Sequence, residues 1–379
     1  MDYLKIKDFA KVVTGGTPST NKNEYWENGT IPWIQSGSCR DEVVNNPDKY
    51  ITELGLKNSS AKIMPKDTVI IALTGATTGK VGLLNIETSA NQSVTGILPN
   101  KKCIPLYLFY YLISIRNKIL SDCYGGAQKH ISQGYVKELT IPIPEIDEQE
   151  KFVNRISILT NLISTKKKQI RDFDELIKSQ FVDMFGDVES NSNKYEIKPI
   201  SEIADYWNGL TYKPSDISES GTVVLRSSNI QNSTLDFKDI VRVNCNISDK
   251  KYVQANDILM CSRNGSAKLV GKVALIPDVD EKMAFGAFMM IVRSDYYSYL
   301  YSYFQTNAFR KQIVSGATTT INQITTNIMN NVKLPIPQKD ELEKYSKFLE
   351  QIDKQKFEFE KQLKKLEELQ VSLMQEYFG

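Results

Sequence analysis

The chain carries nearly the same text twice. "IPIPEIDEQEKF", from Ile141 to Phe152, returns as "LPIPQKDELEKY", from Leu334 to Tyr345, with 193 residues between Pro144 and Pro337. The interval is still 193 where "DMFG" closes on Gly186 and "QEYFG" closes on Gly379. A fixed internal period means one structural unit used twice, which constrains the fold more than any propensity does. Further pairs follow in order. "IKDFAKVVTGGT" at Ile6 matches "ISEIADYWNGLT" at Ile200, and "IPWIQSGSC" at Ile31 matches "TVVLRSSNI" at Thr222. "DTVIIALTGATTGKVGLL" at Asp67 matches "DILMCSRNGSAKLVGKVALI" at Asp257, and "GGAQKHISQ" at Gly125 matches "SGATTTINQ" at Ser315. Local offsets drift between 190 and 194, so the loops carry small insertions.

Each half has two unlike parts. The first is a series of short β-rich runs ("TVIIAL", "KVGLL", "SVTGIL"; then "TVVLR", "DILMC", "KVALI", "FMMIVR"), broken by Gly, Asn and Ser turns. One aromatic, amphipathic helix is expected after each series, "PLYLFYYLISIRNKIL" and "YYSYLYSYFQTNAFRKQIV". That is an α+β domain. The second part begins after Pro142/Pro144 and Pro335/Pro337, where Pro can end a strand without interrupting the following helix. Apolar residues then recur at heptad spacing: Phe152, Ile156, Leu159, Ile163, Ile170, Phe173, Ile177 and Met184. Their counterparts 193 residues on are Tyr345, Leu349, Ile352, Lys356, Leu363, Leu366, Gln370 and Tyr377, with Phe359 and Leu373 filling in. So narrow a seam predicts coiled-coil pairing rather than packing against a broad core. Charged stretches such as Lys166–Lys168 and Glu367–Glu368 read as solvated faces.

The expected organisation is therefore a first β-rich domain over 1–144, a long helix over 145–186, a second domain over 187–337 and a second long helix over 338–379. A helix of forty residues is about 60 Å long. With the repeats related by a pseudo-twofold axis, the helices pair antiparallel and separate the domains, as in a dumbbell.

Composition excludes several function classes. A hydrophobic content of 41% and a charged content of 24% are ordinary for a globular protein, and 379 residues suffice for two or three domains. No apolar run reaches membrane-spanning length, and "MDYLKIKDF" has no apolar signal core, which predicts a cytoplasmic protein with no membrane partner. The five cysteines are scattered with no CxxC pair, and His130 is the single histidine, so neither a zinc site nor a disulfide framework is expected. A net charge of +2 leaves only local basic patches for any nucleic acid.

Catalytic patterns are missing as well. "TGATTGKV" (Thr74–Val81) fails the Gly-x4-Gly-Lys-Ser/Thr phosphate loop at its first and last positions, and "NGSAKLVGKV" fails its spacing. Both read as glycine-supported turns presenting Lys80 and Lys272. "PDVDEK" (Pro277–Lys282) crowds its carboxylates into one turn without a counterpart in the other half and reads as a hairpin loop. There is no Asp-Pro-Pro-Tyr or Asn-Pro-Pro-Tyr motif, no GxGxxG and no catalytic triad. His130 stands opposite Thr320 in the repeat, so no histidine chemistry is shared by the halves.

Together, "GGAQKHISQ…IPIPEIDEQEKF" and "SGATTTINQ…LPIPQKDELEKY", at the junctions of two β-rich domains with two long helices, resemble the specificity subunit of type I restriction–modification enzymes. The resemblance spans essentially the whole chain. The family's Glu-Gln after the prolines is matched by Glu148-Gln149, whereas Glu341-Leu342 departs from it. The resemblance implies two target recognition domains, each reading half of a bipartite site in double-stranded DNA, and helices that space them. It also implies two modification subunits carrying S-adenosylmethionine, and restriction subunits that use ATP and Mg to translocate and cleave. On that reading this chain itself holds no cofactor or metal and has no catalytic residue.

Base edges and phosphates are read by Arg, Lys, Asn, Gln, Ser and Thr. On the turns shared by the halves these are Gln35, Ser36, Arg40, Lys80, Gln92, Gln128, Lys129 and His130 in the first domain. In the second they are Arg226, Ser227, Asn229, Arg263, Asn264, Lys268, Lys272, Thr318, Thr319 and Asn322. Arg226 and Arg263 are the leading candidates for bidentate guanine contacts. The frames match while the chemistry differs, which predicts unlike half-sites and an asymmetric target. The competing expectation is a coiled-coil interaction scaffold whose β-rich domains bind protein or glycan ligands.

Overall fold

The structure, a computed structural model, describes residues 2–123, 130–315 and 323–378. It divides into two compact units, Met1–Lys167 with Lys361–Gly379, and Lys168–Glu360. The division falls within the two long helices, so each unit contains one β-rich domain and part of both helices.

In the first unit, Val69–Ala72 is buried at every residue and lies at the centre of a five-stranded sheet. Its neighbours are Val94–Ile97 and Val81–Leu84, both antiparallel to it, with Val12–Thr14 and Glu42–Val44 at the edges. A continuous apolar run is what a strand covered on both faces requires. A three-stranded sheet carries Ile31–Ile34 between Lys49–Ile51 and Ser89–Ala90, the latter pair parallel. In the second unit Ile258–Cys261 is likewise fully buried, between Val273–Leu275 and Met289–Arg293. A second four-stranded sheet holds Thr222–Leu225, parallel to Met283–Phe285.

The repeat extends to single hydrogen bonds. Gly15 donates its N–H to Val94 O as Gly209 does to Met289 O; Asn91 bonds Ile34 O as Gly286 bonds Leu225 O. Leu73 bonds Ser93 O as Ser262 bonds Phe288 O, and Ile131 bonds Leu73 O as Ile324 bonds Ser262 O. These pairs correct one stretch of the sequence alignment. Ser132 and Thr325 cap the equivalent helices Gln133–Glu138 and Thr326–Asn330, so His130 corresponds to Gln323 rather than to Thr320. The Ile-x-Gln similarity pulled the alignment three residues out of register; cap and backbone geometry restore it.

Tyrosines complete each domain's junction with its helix. The strand Thr140–Ile143 pairs on one edge with Asp2–Lys5, and Lys333–Ile336 pairs with Glu196–Pro199. The Tyr107 and Tyr111 hydroxyls donate to Pro142 O and Thr140 O, both at 3.1 Å, while Tyr299 and Tyr303 serve Pro335 O and Lys333 O. The buried Pro142 and Pro335 carbonyls are thereby satisfied where no further strand supplies an N–H. The expected single aromatic helix is two in each unit: Pro105–Ser114 and Arg116–Ser121, then Tyr297–Tyr303 and Asn307–Ser315. The first pair breaks at Ile115, with ψ at 9°, and the second where the Thr306 hydroxyl accepts the Phe309 N–H. "PDVDEK" is not a hairpin loop either. It carries the chain from one sheet to the other, and Glu281 forms an ion pair with Arg242.

The long helices run over Ile146–Phe185 and Lys339–Phe378, and within each unit they are antiparallel. In the first unit Phe152 meets Phe378 (ring centroids 4.8 Å apart), Gln370 donates to Thr160, and Lys167 pairs with Glu367. In the second unit Phe173 meets Phe359, Lys356 reaches Asp174 at 2.6 Å, and Phe185 meets Tyr345. The expected narrow seam holds only in mid-helix. Phe152, Ile156 and Leu159 are part of the first domain's core, and Phe181, Phe185, Leu342 and Tyr345 of the second's. Near Met184 the buried positions are Phe181 and Phe185 instead, because large aromatics fill the space beneath the Tyr299 helix.

Candidate nucleic-acid interface

In each unit the polar loops converge at the ends of the central strands. In the first, the turn Ser36–Ser38 packs beside Gly75–Thr77, and the Asn91 N–H to Ile34 O bond sets Gln35 next to Gln92. The Asp41 N–H to Val81 O bond likewise brings Arg40 beside Lys80, and His130 forms a bridge with Thr74. Gln35, Ser36, Arg40, Lys80, Gln92 and His130 therefore share one tip, Gln35, Arg40, Gln92 and His130 being exposed. Asp48 shapes it from beneath, accepting the Gln35 N–H and the Ser38 hydroxyl, both at 2.7 Å.

The second unit builds the same tip from other side chains. The Gly286 N–H to Leu225 O bond sets Arg226 beside the 286–288 turn. Asn264 donates to the Ser227 hydroxyl at 3.2 Å, and Arg263 bridges Gln323. Gly79 and Gly271, at φ 76° and 83°, precede Lys80 and Lys272 and let equivalent tight turns present both lysines. Lys268 is exposed on the Ser266–Leu269 turn.

Two of the candidates are engaged by the protein's own groups. Asn229 is fully buried: its Oδ1 accepts the Arg226 N–H at 2.8 Å, and its Nδ2 donates to Asp236 O and Asp239 O. It fixes the loop and does not face solvent. Arg226 is half-buried and donates one Nη to the Asp239 carboxylate at 2.8 Å, while its Nε is buried without a partner. Arg263 is the opposite case. It is exposed, no hydrogen bond or ion pair holds its guanidinium among the described residues, and the group lies over the Phe288 ring at 5.1 Å. Gln128, Lys129, Thr318, Thr319 and Asn322 lie outside the described residues.

Thr74, Ser93, Phe288 and Gln323 occupy the tips without having been singled out from the sequence. The sequence carried no signal for Phe288, which reads as part of the apolar run Met289–Val292 yet is exposed.

Among the described residues no cluster of His, Cys, Asp and Glu could hold a metal ion, and no helix is long and apolar enough to cross a membrane. Burial pushes the Cys103 thiol up to about 12 and raises Cys39 and Cys261 as well, so none supplies a thiolate near neutral pH.

The sequence model of the family described as type I restriction modification DNA specificity domain matches residues 1–172 and 192–369. The type I restriction enzyme MjaIX specificity subunit of Methanocaldococcus jannaschii is 31% identical over 198 residues, covering 51% of this chain and 45% of that protein. This chain thus matches about half the length of that relative. The MjaVIII specificity subunit of the same organism is 24% identical over 394 residues, covering 96% of this chain and 90% of that protein. The crystal structure of a type I restriction–modification S subunit from M. genitalium superimposes with a TM-score of 0.61 at 14% identity, covering 100% of this chain and 96% of that one. That likeness is one of fold.

Proposed function

We propose, since the chain belongs to the type I restriction modification DNA specificity family, that it is the subunit that reads DNA for a type I restriction–modification enzyme. Each repeat recognises one half of a bipartite, asymmetric site. The observation that carries this reading is the pair of tips: one backbone frame, sharing a set of equivalent hydrogen bonds, presenting Gln35, Arg40, Gln92 and His130 in one unit and Arg263, Asn264 and Lys268 in the other. A shared frame positions donors and acceptors against a groove alike, and unlike side chains select unlike bases.

The chain does no chemistry on DNA in this account. Two modification subunits supply S-adenosylmethionine and adenine methylation, restriction subunits supply ATP- and Mg-dependent translocation and cleavage, and the assembly works in the cytoplasm. The near-neutral charge of +2 accords with partners contributing much of the phosphate contact. A scaffold for protein or glycan ligands is disfavoured, because the convergent loops offer polar donors rather than an apolar groove.

Gel shifts test the reading. The chain with a modification subunit is expected to retain a cognate duplex over random duplex, and the scrupulously purified chain alone to transfer no methyl group and cut no DNA. Equal affinity for cognate and random duplex would overturn it.

A further inference from the structure

Phenylalanine at an exposed loop position is ordinary when it stands alone. Phe288 does not stand alone. It is 57% exposed, at the tip of the second unit, among Arg263, Asn264 and Ser227. Its carbonyl accepts the N–H groups of both Ser262 (2.9 Å) and Arg263 (3.0 Å), which locks the two loops together. Ser262 is itself buried, so the junction is anchored in the domain. The Arg263 guanidinium lies over the ring at 5.1 Å, a cation–π contact that uses none of its N–H donors in a hydrogen bond. No protein group takes those donors among the described residues. The equivalent position in the first unit is Ser93, bonded to Thr74, so the device belongs to one repeat only.

In the major groove, the arginine fork matches guanine O6 and N7, and the C5-methyl of thymine is the apolar feature that a phenylalanine can contact. A guanidinium and a ring held in contact at one tip fit neighbouring base pairs. We propose that Arg263 and Phe288 act as a paired reader, Arg263 taking a guanine and Phe288 the methyl group of a thymine in the adjacent base pair of the second half-site. Phe288 is thus a specificity-determining residue. The inference rests on the DNA-reading function argued above and adds a chemical identity to part of the site.

The test uses the full chain assembled with its modification subunits and a duplex carrying the methylated site mapped in cells. Each thymine of the site is replaced in turn by deoxyuridine, which removes only the methyl group. The wild type is expected to lose about four-fold in affinity at one thymine beside a guanine, the worth of one buried methyl group. Phe288→Ala should bind thymine and deoxyuridine duplexes alike there. The ring is exposed, so the variant should fold, and retained discrimination at the other base pairs of the second half-site confirms that it has. The proposal is overturned if no thymine is sensitive in the wild type, or if the sensitivity survives in F288A. It is equally overturned if F288A weakens cognate and scrambled duplexes by the same factor. Those outcomes leave DNA reading intact; failure of the wild type to prefer cognate over scrambled duplex would instead remove the function itself.

Discussion

Replacing Arg263 with alanine is expected to weaken recognition of the second half-site alone, by about 1–3 kcal/mol if the fork holds a guanine. Binding to duplexes varied in one half at a time checks this, and an equal loss on every duplex would reassign Arg263 to a phosphate. Arg226 appeared equivalent in the sequence, since both arginines follow a β-run and open a polar loop. Their difference lies in partners distant along the chain: Asp239 binds one Nη of Arg226, and the Phe288 ring lies against the Arg263 guanidinium. Residue type and loop position were therefore legible, while availability was not. Asn229 failed for the same reason, because a short polar side chain in a turn serves the loop's own N–H and C=O groups as readily as a ligand. Phe288 was missed because apolar residues beside a strand are assigned to the core unless the turn that ejects them is known.

At the scale of elements, strands and long helices could be located from apolar periodicity, but the joints between them could not. Gln149 shows why. It is fully buried at the first helix start, accepting the Ile104 N–H at 2.8 Å and donating to Lys102 O and Pro144 O at 2.9 Å. The equivalent Leu342 is buried in an apolar cluster. Gln149→Leu is expected to destabilise the first unit by about 2–3 kcal/mol, because it strands buried backbone groups, and Leu342→Gln to destabilise the second by burying an unpartnered amide. Denaturant midpoints for both variants test this, and a neutral Gln149→Leu would contradict the role of the clasp. A second joint is electrostatic. Glu138, the last residue of the helix Gln133–Glu138, binds Lys5 at 2.8 Å and Lys7 at 2.5 Å. The lysine hydrogen bonds lower its pKa to about 2. A carboxylate whose folded pKa is depressed adds stability above its unfolded pKa and loses it as pH falls through the folded value. Glu138→Gln should therefore melt below the wild type at pH 7, with the gap closing between about 4.5 and about 2. A gap independent of pH would show that shape, not charge, is what Glu138 supplies.

For the whole molecule, the 193-residue interval foretold two β-rich domains and two long helices, and backbone hydrogen bonds repeat accordingly. What the interval could not foretell is that the helix ends enter the domain cores, since a heptad pattern does not distinguish a partner helix from a domain face. Both long helices have residues in both compact units; if they set the spacing between the sequences read, changing their length changes it. One added heptad in each helix keeps the apolar phase and adds about 10 Å. That corresponds to about three base pairs at 3.4 Å per step, and the groove turns by about 100° over that distance. The lengthened protein is expected to keep both half-sites and gain spacer pairs, with some loss of affinity; changed half-sites with an unchanged spacer would rule out the helices as the ruler. The most direct test of the central claim, that two tips with one frame read two different sequences, is a genome-wide map of methylated adenines in cells carrying this chain and its modification subunits. The account predicts sites with two unlike specified blocks separated by a constant number of unspecified base pairs. A single contiguous block, or the same block repeated as a palindrome, would contradict it.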